Sequence, residues 1–307
     1  MDRLLAMESL VVAVDAGTLT LAAERIGTAK SVVSKRISEL ERRLGVRLLN
    51  RTARRLSLTE AGAAFCDQAR RLLSEVKEAE DAAAGLGAQP RGVIRIAAPM
   101  SFGTLHLRKL AIDVMQRCPE LVVDLDLDDR YVDLANEGYD LAVRIGRLSD
   151  SSLIARKIAP NRHLICASPD YLRRRGTPAT PDDLQHHDGL LYTTREAHGM
   201  WQIQTGSKAR SYRIMSRMRC NNGEVLQAAA IGGLGLAILP SFLAASHVER
   251  GDLTVVLQDH ALPASTISAV YMRERQLSAK VRTFVDALLA AYSPIPPWDQ
   301  VVHREGD

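Results

Sequence analysis

The sequence predicts a protein of two parts: a small helical domain with a two-stranded hairpin, extended by one long helix, and a larger α/β domain. Three observations support this division. Residues 1–58 contain three helical patterns separated by glycines, and a short hairpin pattern follows them. One amphipathic helical pattern spans residues 59–88. From residue 89 onward strand and helix patterns alternate, which is typical of an α/β domain with a mostly parallel sheet.

The glycines and hydroxyl side chains of the first part predict where its helices begin and end. The first helix runs to about residue 15, and Gly17 ends it. Thr20 is placed to cap a second helix that stops at Gly27, because its hydroxyl can accept a bond from an unpaired backbone N–H. Thr28 or Ser31 can then cap a third helix.

The third helix has two different faces. Its apolar stripe consists of Val33, Ile37, Leu40 and Leu44. Its polar face consists mostly of Lys30, Ser31, Ser34, Lys35 and Ser38. A short helix, a tight turn and a longer helix that begins with small polar and basic residues form the helix-turn-helix pattern. In that motif the start of the second helix enters the DNA major groove.

Basic residues are concentrated in this region, although the net charge of the whole chain is only +4. Residues 30–55 contain nine Lys and Arg residues and two Glu residues, so the rest of the chain is net negative. Such a local block indicates a site for nucleic acid or another polyanion. A basic helix face that only meets solvent is the alternative interpretation.

A hairpin pattern follows the third helix. Residues 46–50 and 56–58 predict two short strands, and the turn between them carries Arg51, Arg54 and Arg55. These arginines are suited to phosphates or to a narrow minor groove, where the potential attracts arginine. The hairpin is then the wing of a winged helix-turn-helix. A hairpin that packs on the helices without touching DNA is the alternative.

These motifs resemble the LysR-type transcriptional regulators. The resemblance rests on the runs Ala22–Gly27, Ser31–Ile37 and Leu58–Gly62, with departures at Ala29 and Leu49, where the family often has Ser and Phe. It implies double-stranded promoter or operator DNA as a partner. It also implies a set of DNA-contacting residues: Lys30, Ser31, Ser34, Lys35, Arg51, Arg54 and Arg55.

The long helix at 59–88 has Thr59 as its expected N-cap and a side rich in alanine and leucine. An amphipathic helix of this length favours pairing with a second helix. In the resembled family it joins two chains into a homodimer, and the dimers often pair into a homotetramer. A helix that packs only on its own domain is the alternative.

Residues 89–293 resemble the effector-binding domain of the same family, which has a two-lobed fold like the type 2 periplasmic binding proteins. The resemblance rests on the runs Ala98–Gly103, Glu137–Gly146, Ala167–Leu172 and Gly233–Pro240. A Pro-containing tail, 294–307, is expected to lie outside this domain. The resemblance implies a cleft between the lobes for a small-molecule effector.

Ligands of open α/β sheets bind beyond the carboxyl ends of strands, which points to the residues after the first strand. The start of a helix there can bind a carboxylate, so a small anionic metabolite is expected, with Ser101 as the best single candidate. For Arg144 a structural salt bridge is an equally good explanation. Asn221 and Asn222 are equally explained as residues of a turn. The effector candidates are Pro99, Met100, Ser101, Phe102, Arg144, Asn221 and Asn222.

The sequence carries no motif for catalysis, a metal or a cofactor. Its four cysteines, 48 to 54 residues apart, form no CxxC pair, and buried reduced thiols are expected, with redox sensing as the alternative. An enzyme with a fused DNA-binding module therefore lacks support. A secreted solute-binding protein also lacks support, because no signal peptide or membrane span is found and a cytoplasmic location is expected.

Overall fold

The structure is a computed structural model, and it describes residues 2–52, 55–83, 89–146, 153–193, 199–205, 208–260, 262–263 and 265–303. The chain divides into two compact units, Met1–Gln89 and Pro90–Asp307. Among the described helices, none is both long and apolar enough to cross a lipid bilayer.

The first unit has a helical core with a hairpin. Its described elements are α1 (Arg3–Ala16), α2 (Leu19–Ile26), α3 (Lys30–Leu44), β1 (Leu49–Thr52), β2 (Arg55–Leu58) and α4 (Glu60–Ala83). The strands are antiparallel, with Leu49 opposite Leu58. The buried side chains include Leu10, Val33 and Ile37, which have at most 1% of their surface exposed. The predicted helix-turn-helix with a hairpin is therefore confirmed.

Two helix starts differ from the sequence prediction. Helix α2 is capped by Thr18, not Thr20, and the Thr18 hydroxyl accepts a bond from the Leu21 N–H at 3.2 Å. Helix α3 follows Ala29, so no side chain caps it. Thr28 and Ser31 do not supply this cap because α3 begins at Lys30, with Ala29 in the capping position. The predicted cap of α4 is confirmed, because Thr59 Oγ1 accepts from the Gly62 N–H at 2.9 Å.

The second unit contains two five-stranded sheets and a separate hairpin in its described part. The first sheet has the spatial order β4 (Leu121–Leu127), β3 (Gly92–Ala98), β5 (Leu141–Ile145), β14 (Ser265–Met272) and β6 (Leu153–Asn161). The second has the order β11 (Met215–Cys220), β8 (Asp188–Tyr192), β12 (Leu236–Pro240), β7 (His163–Ala167) and β13 (Thr254–Val256). The hairpin pairs β9 (Met200–Thr205) with β10 (Lys208–Arg213). Both sheets mix parallel and antiparallel pairs.

Helices flank each sheet, and a sheet with its helices is called a lobe below. The helices are α5 (Met100–Phe102), α6 (Arg108–Arg117), α7 (Leu134–Glu137), α8 (Pro169–Arg175), α9 (Gly223–Ile231), α10 (Ser241–Glu249), α11 (Ala279–Tyr292) and α12 (Pro297–His303). A π-helical turn, Gly103–Leu107, joins α5 to α6. The chain crosses between lobes twice, once through Arg162, between β6 and β7, and once between β13 and β14. The predicted two-lobed α/β domain is confirmed.

The predicted C-terminal tail, 294–307, contains a packed helix, α12. Trp298 is 6% exposed, and its ring centroid lies 4.4 Å from that of His106 and 6.0 Å from that of Phe102. Asp299 is 1% exposed, and its carboxylate lies 3.2 Å from Nε of Arg162 in the interlobe crossing. This segment belongs to the core of the second unit because burying the indole removes a large apolar surface from water.

Candidate functional site

Helix α3 exposes the polar face that the sequence predicts for DNA contact. Lys30, Ser31 and Lys35 are exposed and Ser34 is half-buried, whereas Ile37 on the opposite face is 1% exposed. The apolar face is fixed in the core, so the rest of the helix projects short hydroxyls and two ammonium groups into solvent. Short side chains allow close approach to a groove, and the lysines can reach bases or phosphates.

Other basic residues of α3 have partners inside the first unit. Nη1 of Arg36 lies 3.4 Å from the hydroxyl of Ser9, a residue with no exposed surface. Arg42 donates to Glu39 from Nε at 3.2 Å, and this bond holds the pKa of the Glu39 carboxyl below its ordinary value. These two guanidinium groups are thus engaged within the first unit, whereas Lys30 and Lys35 are exposed.

The hairpin is fixed at its base by side chains from the flanking helices. Oε1 of Glu41 accepts from the N–H groups of Leu48 and Leu49 at 2.9 and 3.1 Å. On the other side Thr59 donates its hydroxyl to the carbonyl of Arg47 at 2.7 Å, and its N–H donates to the Leu48 carbonyl at 3.0 Å. Strand β1 begins at Leu49 and not at the predicted residue 46.

Two of the three predicted wing residues lie in the strands and not in the predicted turn, since Arg51 belongs to β1 and Arg55 begins β2. In the antiparallel register Arg51 is opposite Leu56, and Arg55 is opposite Thr52. Arg54 lies outside the described residues. Val32, which sequence reasoning missed, is 36% exposed beside the polar face of α3. An exposed aliphatic side chain there can contact the methyl group of thymine. The sequence signal for this role was an apolar residue that lies outside the apolar stripe of the helix.

A cavity of about 580 Å³ lies between the two lobes of the second unit. Its walls are mostly apolar and come from both lobes, with Phe102 and Ile145 from the first and Leu226 and Phe242 from the second. This volume falls in the range of roughly 300–1,000 Å³ typical of small-molecule sites. The predicted position, beyond the carboxyl end of the first strand of the domain, lies at this cavity.

Three of the seven effector candidates line the cavity, namely Pro99, Ser101 and Phe102. The other four do not, for different reasons. Met100 is 42% exposed, and its N–H donates to Asp129 Oδ1 at 3.1 Å.

Asn222 uses its side chain to cap α9, accepting from Val225 N at 3.1 Å, and Asn221 is exposed. Arg144 lines a smaller cavity next to the first. There its guanidinium lies 3.7 Å from the ring centroid of Tyr131 and donates to the Val132 carbonyl at 2.6 Å.

Four polar residues of the cavity wall were not found from the sequence: Asp129, Asn161, His163 and Ser265. They come from the end of the first lobe's β4 segment and from the two interlobe crossings. None belongs to a local motif, since the pairing of Asn161 with Ser265 joins residues 104 positions apart. The register of β6 and β14 is what brings Asn161 and Ser265 together.

Comparison with known families gives two matches that divide the chain as the structure does. Residues 4–63 match the family model described as "Bacterial regulatory helix-turn-helix protein, lysR family", and residues 87–293 match "LysR substrate binding domain". The chain is a member of the LysR family of transcriptional regulators. It is thus a DNA-binding regulator with a substrate-binding domain, and it is not an enzyme.

Curated relatives and solved structures agree with this assignment. The regulator is 35% identical over 281 residues to an uncharacterized HTH-type transcriptional regulator of Haemophilus influenzae, covering 92% of this chain and 98% of that one. It is 32% identical over 285 residues to the activator TtdR of Escherichia coli, covering 92% of each. The structure of CrgA from Neisseria meningitidis superposes with a TM-score of 0.62 at 31% identity, covering 94% of this chain and 98% of that chain.

The cysteines and histidines of this regulator do not form a second chemical site in the described residues. No cluster of His, Cys, Asp or Glu there has the arrangement of a metal site. Complete burial raises the pKa of the Cys166 thiol to about 12, which keeps it protonated and unreactive. His187 is 4% exposed because its ring packs against Tyr171, whose hydroxyl lies 3.2 Å from Nδ1.

Proposed function

We propose that this regulator binds operator DNA as a dimer through the start of α3 and the hairpin wing, and that a small anionic metabolite in the interlobe cavity modulates it. The proposed DNA contacts are Lys30, Ser31, Ser34, Lys35, Arg51, Arg54 and Arg55. The observation that carries the proposal is the exposed polar face of α3, because its opposite face is fixed in the core. The cytoplasm is the compartment in which such a regulator acts.

The DNA contact is tested by Lys35→Ala, measured by DNA binding at several salt concentrations. Losing one cationic contact should weaken binding at least about fivefold at ~0.15 M salt and lower the salt slope by about one. Lys109→Ala is the matched control, because that lysine is exposed in the second unit. Equal affinities of the two variants would remove Lys35 from the interface.

Helix α4 is the proposed dimer contact. Leu72 is 45% exposed on it, and Ala61, Ala64 and Gln68 precede it at intervals of three and four residues on one exposed side. Leu72→Glu should shift sedimentation toward monomer and weaken operator binding, because two half-sites are then bound independently. Leu234→Glu, at an apolar site 39% exposed in the second unit, is the control. A dimer that persists in Leu72→Glu would contradict this contact. The same sedimentation experiment on the unchanged protein shows whether dimers pair into a tetramer.

The anionic group of the effector is proposed to lie near Ser101, at the backbone N–H groups that follow Met100 in the helix start. The Met100 N–H itself donates to Asp129 Oδ1, so the ligand anion would bind beside that carboxylate and not in its place. No lysine or arginine is among the described side chains of the cavity wall, so these dipoles and the Ser101 hydroxyl would carry the recognition. Ser101→Ala should blunt the response of operator binding to small carboxylates while leaving DNA affinity without ligand intact. A response to amides as strong as to the matching carboxylates would overturn the anionic part.

A further inference from the structure

Three polar residues of the cavity meet where the chain crosses between the lobes. Asn161 is the last residue of β6, His163 is the first of β7, and Ser265 is the first of β14. Asn161 and Ser265 are paired in the register of β6 and β14, and all three residues line the cavity. In an extended segment residues 161 and 163 share one side, so Arg162 between them points away, and it approaches Asp299.

Hydrogen bonds within this group use only part of the Asn161 side chain. Its Nδ2 donates to Ser265 Oγ at 2.8 Å and lies 3.3 Å from His163 Nε2. Asn161 is 2% exposed, and its Oδ1 is buried without a hydrogen-bond partner among the described residues. Buried carbonyl oxygens in native structures are nearly always paired, so an oxygen left without a partner beside a cavity indicates a ligand group.

The contacts of Ser265 favour this orientation of the amide. Ser265 directs its hydroxyl hydrogen toward the backbone carbonyl of Asn161, at 3.4 Å, and therefore offers a lone pair to the amide nitrogen. With the nitrogen engaged, the oxygen remains as an acceptor. The group that satisfies it must be a donor, either a hydroxyl or an N–H.

We infer that Asn161, held by Ser265 and His163, forms a hydrogen-bond acceptor subsite that recognises a hydroxyl or N–H group on a mainly apolar, ring-containing effector. The inference rests on the proposed function of the cavity. Phe102, Leu226 and Phe242 line the same cavity as the subsite, and their apolar side chains are suited to the ring body. Hydroxylated aromatic compounds and N–H heterocycles are the ligand classes that fit both features.

The test uses four probes on the full chain, measured by calorimetry. The first pair is 2-naphthol and 2-methoxynaphthalene, which differ in the donor hydrogen. The second is 6-hydroxy-2-naphthoate and 6-methoxy-2-naphthoate, which add the proposed anionic group. In each pair the hydroxyl compound should bind roughly fivefold to tenfold tighter, the value of one satisfied buried hydrogen bond. Asn161→Leu should reduce that ratio to about one, and the control Gln185→Leu, at an exposed amide, should leave it unchanged.

Asn161→Asp provides a second variant if the leucine variant does not fold, since it keeps an acceptor of nearly the same shape and should preserve the preference. Equal binding within both pairs, tighter binding of the methoxy compounds, or binding of none of the four would overturn the inference. The proposed function fails differently, through unchanged operator binding of Lys35→Ala. If the neutral pair shows the preference and the naphthoates do not bind, the acceptor subsite stands and the anionic group is rejected.

Discussion

The two units of this regulator present opposite kinds of surface. The first exposes Lys30, Ser31 and Lys35 on a helix whose other side is buried, so its candidate site is convex, polar and made of adjacent residues. The second encloses a mostly apolar cavity whose wall comes from both lobes. A polyanion can be bound by charge at an exposed surface, whereas a small molecule must be removed from water to be bound at all. The consequences of a mutation should differ accordingly.

The means of holding each site also differ. In the first unit the hairpin is fixed by short hydrogen bonds from Glu41 and Thr59 to backbone groups. In the second unit an aromatic cluster lies behind the cavity, where Phe102, a wall residue, packs edge-on against Phe242 at 5.5 Å and Trp298 at 6.0 Å. The first arrangement depends on backbone geometry and the second on filled volume.

The largest expected effect is on the aromatic cluster. Trp298→Ala should destabilise the second unit by about 3–5 kcal/mol, because it removes a buried ring from a packed cluster. Urea denaturation followed by far-ultraviolet circular dichroism measures the change. Ile295→Ala, at a side chain 58% exposed in the same segment, is the control and should change stability by less than about 0.5 kcal/mol. A Trp298→Ala cost below about 1 kcal/mol would show that α12 is not part of this core.

The backbone geometry of the first unit is tested by Gly62→Ala. A Cβ atom there would lie 1.9 Å from the Leu48 carbonyl oxygen, a backbone atom that Thr59 also holds. We expect a loss of about 2–3 kcal/mol and weaker operator binding, because the base of the hairpin must move. Thermal unfolding of the first unit and DNA affinity are the two measurements.

Gly103→Ala is the matched substitution in the second unit. Its added Cβ would meet Leu127 Cδ2 at 2.2 Å, which is the end of a flexible side chain. The leucine can turn away, and alanine favours a helix over glycine by about 1 kcal/mol, so the net change should stay within about 1 kcal/mol. Equal losses of stability in Gly62→Ala and Gly103→Ala would contradict the distinction drawn here, in which the first unit depends on fixed backbone geometry and the second on side-chain packing.

What the sequence could predict follows the same division. The polar face of α3 is formed by residues that lie within six positions of one another, from Lys30 to Lys35, so helical periodicity alone located it. The cap of α2 was placed two residues late because threonines stand at both 18 and 20, and local chemistry fits either. The cavity residues Asn161 and Ser265 could not be found, since strand pairing over 104 positions leaves no periodic signal.

The two units should also differ in their sensitivity to acid. All eight histidines lie between residues 106 and 303, so the first unit contains none. Burial lowers the pKa of His106, whose Nε2 lies 3.0 Å from the Phe242 carbonyl, and burial also lowers that of His187. Because the unfolded chain binds these protons more readily, the stabilisation from neutral histidine is complete above about pH 6.5 and is lost below it.

The second unit should therefore lose stability between pH 7 and 5 with a slope of at most about 1.4 kcal/mol per pH unit for each histidine. The first unit should stay level there, because bonds from Arg70 and Arg42 lower the pKa values of its carboxyls Asp15 and Glu39 further below that range. His106→Gln keeps a donor for Phe242 and should reduce the slope. A slope that stays the same in this variant would assign the acid sensitivity of the second unit to groups other than His106.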